Sequence, residues 1–218
     1  MDSTVASITK YFRLMEERPQ EFVGSEQGEI IKDPMILEIA MKERGRPLGV
    51  VYESPYHYLV VDLLKTPEGK YLFYERVMNA VQDPAVVIVP VLNGRFVLLH
   101  QYRHAMQGKQ YAFPRGFGGP GLSAEENARK ELREELGCEA KEVCCLGSVV
   151  ADSGLCGNAV QVCAAIINTY ETKLSYEGIA GAVLLDTDEM IQWITVGKID
   201  DAFTISAFAK YYLSESME

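Results

Sequence analysis

Residues 116 to 138, GFGGPGLSAEENARKELREELGC, constrain this chain more than any other stretch. Glycines at 116, 118, 119 and 121 make a loop, and the residues after it read as a helix entered directly from that loop. On a helix, Glu131, Glu134 and Glu135 stand at i, i+3 and i+4 and so share one face. Glu131 and Glu135 are like charges four residues apart, which oppose each other unless a cation lies between them. Hard divalent cations take oxygen ligands and are commonly held by a few carboxylates together with substrate phosphate. The spacing therefore points to a metal site for a phosphorylated substrate. From these residues alone, the alternative is an acidic helix face in solvent.

Charge narrows the classes of partner. The net charge of −10 over 218 residues disfavours a nucleic-acid backbone as partner. An anionic diphosphate stays compatible, because bound metal ions neutralise the contact locally. With 48% hydrophobic residues the chain can bury a sizeable core. The N-terminal segment lacks a basic region followed by a continuous apolar run, and no segment has the length of a membrane span. Five cysteines without a C-x-x-C pair predict reduced, mostly buried thiols in a cytoplasmic protein.

Apolar spacing predicts a helix over Ser3–Glu17 and a second over Pro34–Arg44, the latter capped by Asp33 and followed by Gly45. Strand signals cover Val50–Glu53, Tyr58–Leu64 and Tyr71–Val77, then Ala85–Leu92 and Arg95–Tyr102 around the hairpin pair Asn93-Gly94. Val143–Val150, Val160–Thr169 and Ala182–Leu185 read as further strands, and Thr187–Thr195 and Asp201–Ser214 as closing helices. Trp193 fits helical core packing. Strands, one central helix, strands and closing helices describe an α+β domain layered α/β/α.

The glycine loop and its helix resemble the Nudix box of the Nudix hydrolases, G-x5-E-x7-R-E-U-x-E-E-x-G-U, with U a bulky apolar residue. Gly116 matches the opening glycine, and Glu131, Leu132, Glu134, Glu135, Gly137 and Cys138 fill the later half in register. Two positions depart. Leu122 stands where the family has its first glutamate and Lys130 where it has arginine, a pair that in the family supports the loop. The segments VVIVPVLNGRFVLLHQYRHA (86 to 105), FPRG (113 to 116) and GKIDDAFTISAFAKYYL near the C-terminus are similar to the ADP-ribose pyrophosphatase-like branch. That branch often has a glutamate where this chain has Ala112.

The resemblance implies a Nudix fold, a mixed β-sheet between helices, over residues 84–218. It implies an N-terminal helix and strand extension over 1–83 that serves a homodimer. The implied cofactor is Mg²⁺, with Mn²⁺ as the alternative. Glu131 and Glu135 are the expected leading ligands, Glu134 a third ligand or a base, and the main-chain oxygen of Arg115 a further donor. Arg103 and Arg115 are candidate phosphate contacts, since guanidinium pairs with phosphate in a planar, bidentate way. Gly116 lies against the substrate in this reading. Glu177, the carboxylate of the 173–181 loop, is the expected general base.

The implied activity is hydrolysis of a nucleoside diphosphate linked to another moiety. ADP-ribose is the first choice, giving AMP plus ribose 5-phosphate. The alternatives are another nucleotide sugar or a dinucleotide, or a non-catalytic nucleotide-binding module, a reading that Leu122, Lys130 and Ala112 support. The partner is a small molecule, with neither nucleic acid nor membrane expected.

Overall fold

The computed structural model of the chain describes residues 3–172 and 178–215. It divides into two compact units, one of Met1–Val81 with Asp152–Asn158 and one of Gln82–Ala151 with Ala159–Glu218.

The first unit holds helices α1 (Ser3–Glu17) and α2 (Pro34–Arg44) and strands β1 (Glu29–Ile30), β2 (Gly49–Glu53), β3 (His57–Lys65) and β4 (Tyr71–Asn79). Strand β3 is central and pairs antiparallel with the other three. Helix α2 begins and ends as its sequence dictates: Asp33 Oδ1 accepts from the Met35 amide at 2.8 Å, Pro34 takes the first turn, and Gly45 closes the helix in the left-handed region. The apolar side of α1, through Tyr11, Leu14 and Met15, packs with Phe22, Leu37, Val60 and Leu63. Asp62 is among the polar residues buried in this unit. Asp62 accepts from Tyr11 Oη at 2.5 Å and from Arg76 Nε at 2.6 Å, so the buried carboxylate is both paired and hydrogen-bonded. Strand β1 went unread in the sequence because two residues carry no alternation. The 152–158 loop belongs to this unit, where Val77 N donates to Leu155 O at 2.8 Å.

The second unit is a mixed sheet with helices on both faces. Its strands are β5 (Val86–Leu92), β6 (Arg95–Arg103), β7 (Gly108–Ala112), β8 (Arg115–Gly116), β9 (Ala140–Val149), β10 (Val160–Ile167) and β11 (Ile179–Leu185). Its helices are α3 (Ala124–Glu135), α4 (Thr187–Thr195) and α5 (Ala202–Glu215). The main order is β11-β6-β5-β10-β9, with β7 added to β6 and β8 to β5. Only β5 and β10 run parallel among the described pairs. Side chains on β5 alternate between the two faces. Val86 and Ile88 meet Ala128, Leu132 and Leu136 at α3, while Val87 and Val89 meet Met190, Ala207 and Phe208 from α4 and α5. This is the expected mixed sheet between helices.

Asn93 and Gly94, at φ 51° and 74°, form the expected tight turn from β5 to β6. Strand β11 begins three residues earlier than its apolar run suggests, because an irregularity between Ile179 and Gly181 lets it keep pairing with β6. Trp193 is half-buried at the margin of the core, with the Lys198 ammonium 3.1 Å from its ring centre and Tyr111 edge-on. The expectation of mostly buried thiols fails. Cys138 and Cys163 are buried, but Cys144 and Cys145 are exposed and Cys156 is intermediate. The reason is position: β9 is an edge strand, so its side chains are covered less than those of β10. No helix among the described residues is long and apolar enough to cross a membrane.

Helix α3 is nucleated by a capping box. Ser123 Oγ accepts from the Glu126 amide at 3.3 Å, and Glu126 Oε2 accepts from the Ser123 amide at 2.8 Å. Those hydrogen bonds from the Ser123 backbone and hydroxyl hold the Glu126 carboxyl below its usual value of 4.5. A lowered carboxyl pKa stabilises the fold fully above the unfolded value and loses that effect as pH falls through the folded one. Ser123→Ala is expected to cost about 1 kcal/mol in a denaturant melt at neutral pH.

Candidate active site

Helix α3 sets a row of polar side chains against the glycine loop. Asn127, Glu131 and Glu135, at steps of four, are all buried, with Glu131 7% and Glu135 4% exposed. Glu135 Oε2 accepts the Arg115 backbone N–H at 3.2 Å. Glu131 reaches the next residue: a Cβ placed on Gly116 would overlap its carboxylate. The two carboxylates therefore arrive at one short strand, β8, which is held in the sheet by pairing to Val86 and Val87 of β5. Neither β7 nor β8 was anticipated from the sequence, because both are short and lack alternation.

Glu134 lies apart from this row. Its side chain is 56% exposed and accepts from Lys130 Nζ at 2.8 Å. Lys130 Nζ also donates to Glu131 Oε1 at 2.9 Å. These contacts, that to Glu134 foremost, raise the Lys130 pKa above its usual value. Among the described residues no three His, Cys, Asp or Glu side chains form a metal-holding group. The spacing puts three glutamates on one face, and the structure buries two of them and leaves Glu134 at the solvent margin.

The two arginines differ in setting. Arg103 is half-buried at the end of β6, opposite Gly108 of β7. Arg115 Nη1 donates to Asp201 Oδ1 at 2.9 Å, and its guanidinium lies 5.1 Å from the Phe203 ring centre. Asp201 is itself buried and caps α5, accepting from Thr204 N at 2.9 Å and from Thr204 Oγ1 at 2.7 Å. An arginine paired in this way fixes the backbone of β8. It would have to release Asp201 before its side chain could bind phosphate. Glu177, the expected general base, falls outside the described residues.

Support for the loop comes from Leu122 and from two residues the sequence did not single out, Asn127 and Asp83. Asn127 Nδ2 donates to Pro84 O at 3.1 Å and to Phe117 O at 3.0 Å. Asp83 Oδ1 accepts from the Gly121 amide at 3.0 Å. Leu122 folds back over the loop, its amide donating to Gly119 O at 3.0 Å and its methyl carbon lying close over Gly119. The one signal for Asn127 was its place four residues before Glu131. Asp83 gave none, since its partner is 38 residues distant.

Two buried carboxylates, Glu131 against Gly116 and Glu135 on the Arg115 amide, are a hard-oxygen donor set. Mg²⁺ bound to phosphorylated substrates typically needs one or two carboxylates, with phosphate and water completing its shell. Two buried carboxylates brought to one short strand supply that number of oxygen donors, so these residues fit a divalent ion.

Known proteins resemble this chain in sequence and in fold. The profile described as NUDIX domain matches residues 81–213. The ADP compounds hydrolase NudE of Escherichia coli (strain K12) is 32% identical over 113 residues, covering 52% of this chain and 55% of that protein. The chain thus spans about half the length of that relative. A crystal structure of an ADP compounds hydrolase superposes with a TM-score of 0.62 at 20% identity, over 75% of this chain and 88% of that one, which is a likeness of fold. With the domain profile matched over more than half of its length and Glu131 and Glu135 brought to the Arg115–Gly116 strand, the chain belongs to the NUDIX family.

Proposed function

We propose that this chain is a divalent-metal-dependent hydrolase of nucleoside diphosphate conjugates, with ADP-ribose as the first substrate to test. The observation that carries the proposal is the convergence of buried Glu131 and Glu135 on the Arg115–Gly116 strand. The relative named as an ADP compounds hydrolase supports an ADP-containing substrate.

In this reading Glu131, Glu135 and the main-chain oxygen of Arg115 would hold Mg²⁺ or Mn²⁺. A divalent cation there supplies charge neutralisation for the diphosphate and a more acidic water. The chain's own residues do the positioning. The Arg115 amide fixes one oxygen of Glu135, and Asp201 fixes the Arg115 side chain. Asn127 and Asp83 hold the loop through which the diphosphate would approach. Such positioning, together with electrostatic stabilisation, is the main source of rate in phosphoryl transfer. Glu134, exposed beside the row, and Glu177 are the two candidates for the proton-accepting base. Glu134→Gln and Glu177→Gln separate them, since the true base loses about 10²–10⁴-fold in kcat. Residues 1–83 would form a cytoplasmic homodimer, which light scattering reads directly.

A panel of ADP-ribose, other ADP conjugates, UDP- and GDP-sugars and dinucleotides, run with Mg²⁺ and with Mn²⁺, tests the substrate class. Metal-dependent AMP from ADP conjugates, with little product from the others, is the expected outcome. Binding without turnover across the panel would instead favour a non-catalytic nucleotide-binding module. Lys130, already placed on Glu131, is the observation that favours this second reading.

A further inference from the structure

Helix α3 carries its own cation onto one of the proposed ligands. The contact of Lys130 with Glu134 is an ordinary i,i+4 pair, but that with Glu131 is not. Neighbouring residues diverge around a helix, so Lys130 meets Glu131 only by curling its flexible stem back over the carboxylate. Burial shows which partner is held: the Glu131 side chain is 10% exposed, whereas those of Lys130 and Glu134 are 37% and 56% exposed. The Glu131 carboxylate thus has Gly116 against it and the ammonium on Oε1. Leu122, folded over Gly119, offers Lys130 no competing acceptor in the loop.

We infer that Lys130 is a built-in competitor for the divalent cation. It is a positioning residue that holds Glu131 in the metal-free protein and must leave Oε1 when the ion binds. The inference rests on the reading that Glu131 and Glu135 hold a divalent cation. A divalent ion and an ammonium sharing one oxygen repel each other strongly at that separation. Lys130 can yield without losing all its pairing, because the exposed Glu134 stays within reach of its stem. The metal's net affinity is then lower by whatever the Lys130–Glu131 contact contributes. The same contact offsets the repulsion between Glu131 and Glu135 in the metal-free protein.

Titration of the full chain with Mn²⁺, followed by the EPR signal of the free aqua ion at fixed pH and ionic strength, tests this without any turnover. Lys130→Met removes the charge and keeps the stem, and is expected to tighten Mn²⁺ binding by about fivefold, the scale of a partly exposed ion pair. Its melting temperature in chelator should fall below that of the unmodified protein, and the rise on adding Mn²⁺ should be larger. Lys130→Arg, which keeps the charge, should bind Mn²⁺ no more tightly than the unmodified protein. Lys130→Gln, run in parallel, covers the case in which the methionine variant folds poorly. Unchanged or weaker Mn²⁺ binding in both neutral variants would overturn the inference. Glu135→Gln separates the two levels of the argument. If it abolishes binding while the Lys130 variants match the unmodified protein, only the competitor role falls. If the unmodified protein takes up no Mn²⁺, the metal site and the competitor role fall together.

Discussion

Glu135→Gln is expected to lower kcat/KM by about 10³-fold, roughly 4 kcal/mol of transition-state stabilisation. The substitution keeps the shape of the side chain and retains an oxygen to accept the Arg115 amide. What it removes is one negative charge from a buried pair whose proposed task is to hold a divalent ion. Stability should therefore change little, or rise slightly in chelator, because the like-charge repulsion with Glu131 is relieved. A steady-state assay with excess Mg²⁺ beside a denaturant melt reads both quantities. A large loss of activity at unchanged stability is the signature of a ligand. Equal losses in both would mark Glu135 as structural.

Gly116→Ala should be nearly as damaging to activity, about 10²-fold in kcat/KM, for a different reason. Gly116 does not sit in the left-handed region, so an alanine there meets no backbone strain. Its methyl would instead occupy the space of the Glu131 carboxylate. A carboxylate is the far end of a flexible side chain and can move aside, so the cost in folding should stay near 1 kcal/mol. The proposed ligand Glu131, however, would no longer stand at β8. Gly121→Ala is the natural contrast. Gly121 has φ of 73° and open space where a Cβ would stand, so alanine there strains the backbone without touching a carboxylate. The first variant should lose Mn²⁺ binding and the second should keep it, which equilibrium dialysis measures.

Local chemistry made much of the fold legible. Asp33, Pro34 and Gly45 state where α2 starts and stops, and Asn93-Gly94 states where β5 turns into β6. In α3 the apolar positions Ala128 and Leu132 give the face that meets the sheet. The site was legible to the extent that spacing determines it. Steps of four brought Glu131 and Glu135 to the loop, but i, i+3 spacing could not say that Glu134 would stay in solvent. That depends on where the sheet edge lies, which no helix pattern records. The same holds for Cys144 and Cys145, whose exposure follows from β9 being an edge. Asp83, Asn127 and Asp201 were missed because their partners are backbone groups or side chains far along the chain. The contact of Lys130 with its neighbour Glu131 is a matter of rotamer and stem flexibility, invisible to any pattern of residue types.

The departures at Leu122 and Lys130 now have a physical description. The loop is braced by Asn127, Asp83 and the packing of Leu122 over Gly119, and Lys130 turns to the helix carboxylates. The support of the loop and the charge around Glu131 are thereby handled by different residues.

The central claim is that this chain uses a divalent ion at Glu131 and Glu135 to open a diphosphate. The most direct test is release of AMP from ADP-ribose by the unmodified protein, first with Mg²⁺ and then with chelator added to the same reaction. The account predicts steady AMP release that stops on chelation and resumes when Mg²⁺ is restored in excess. AMP release that continues undiminished in chelator would contradict it, as would the absence of product from ADP-ribose and every other diphosphate conjugate with Mg²⁺ and Mn²⁺ saturating.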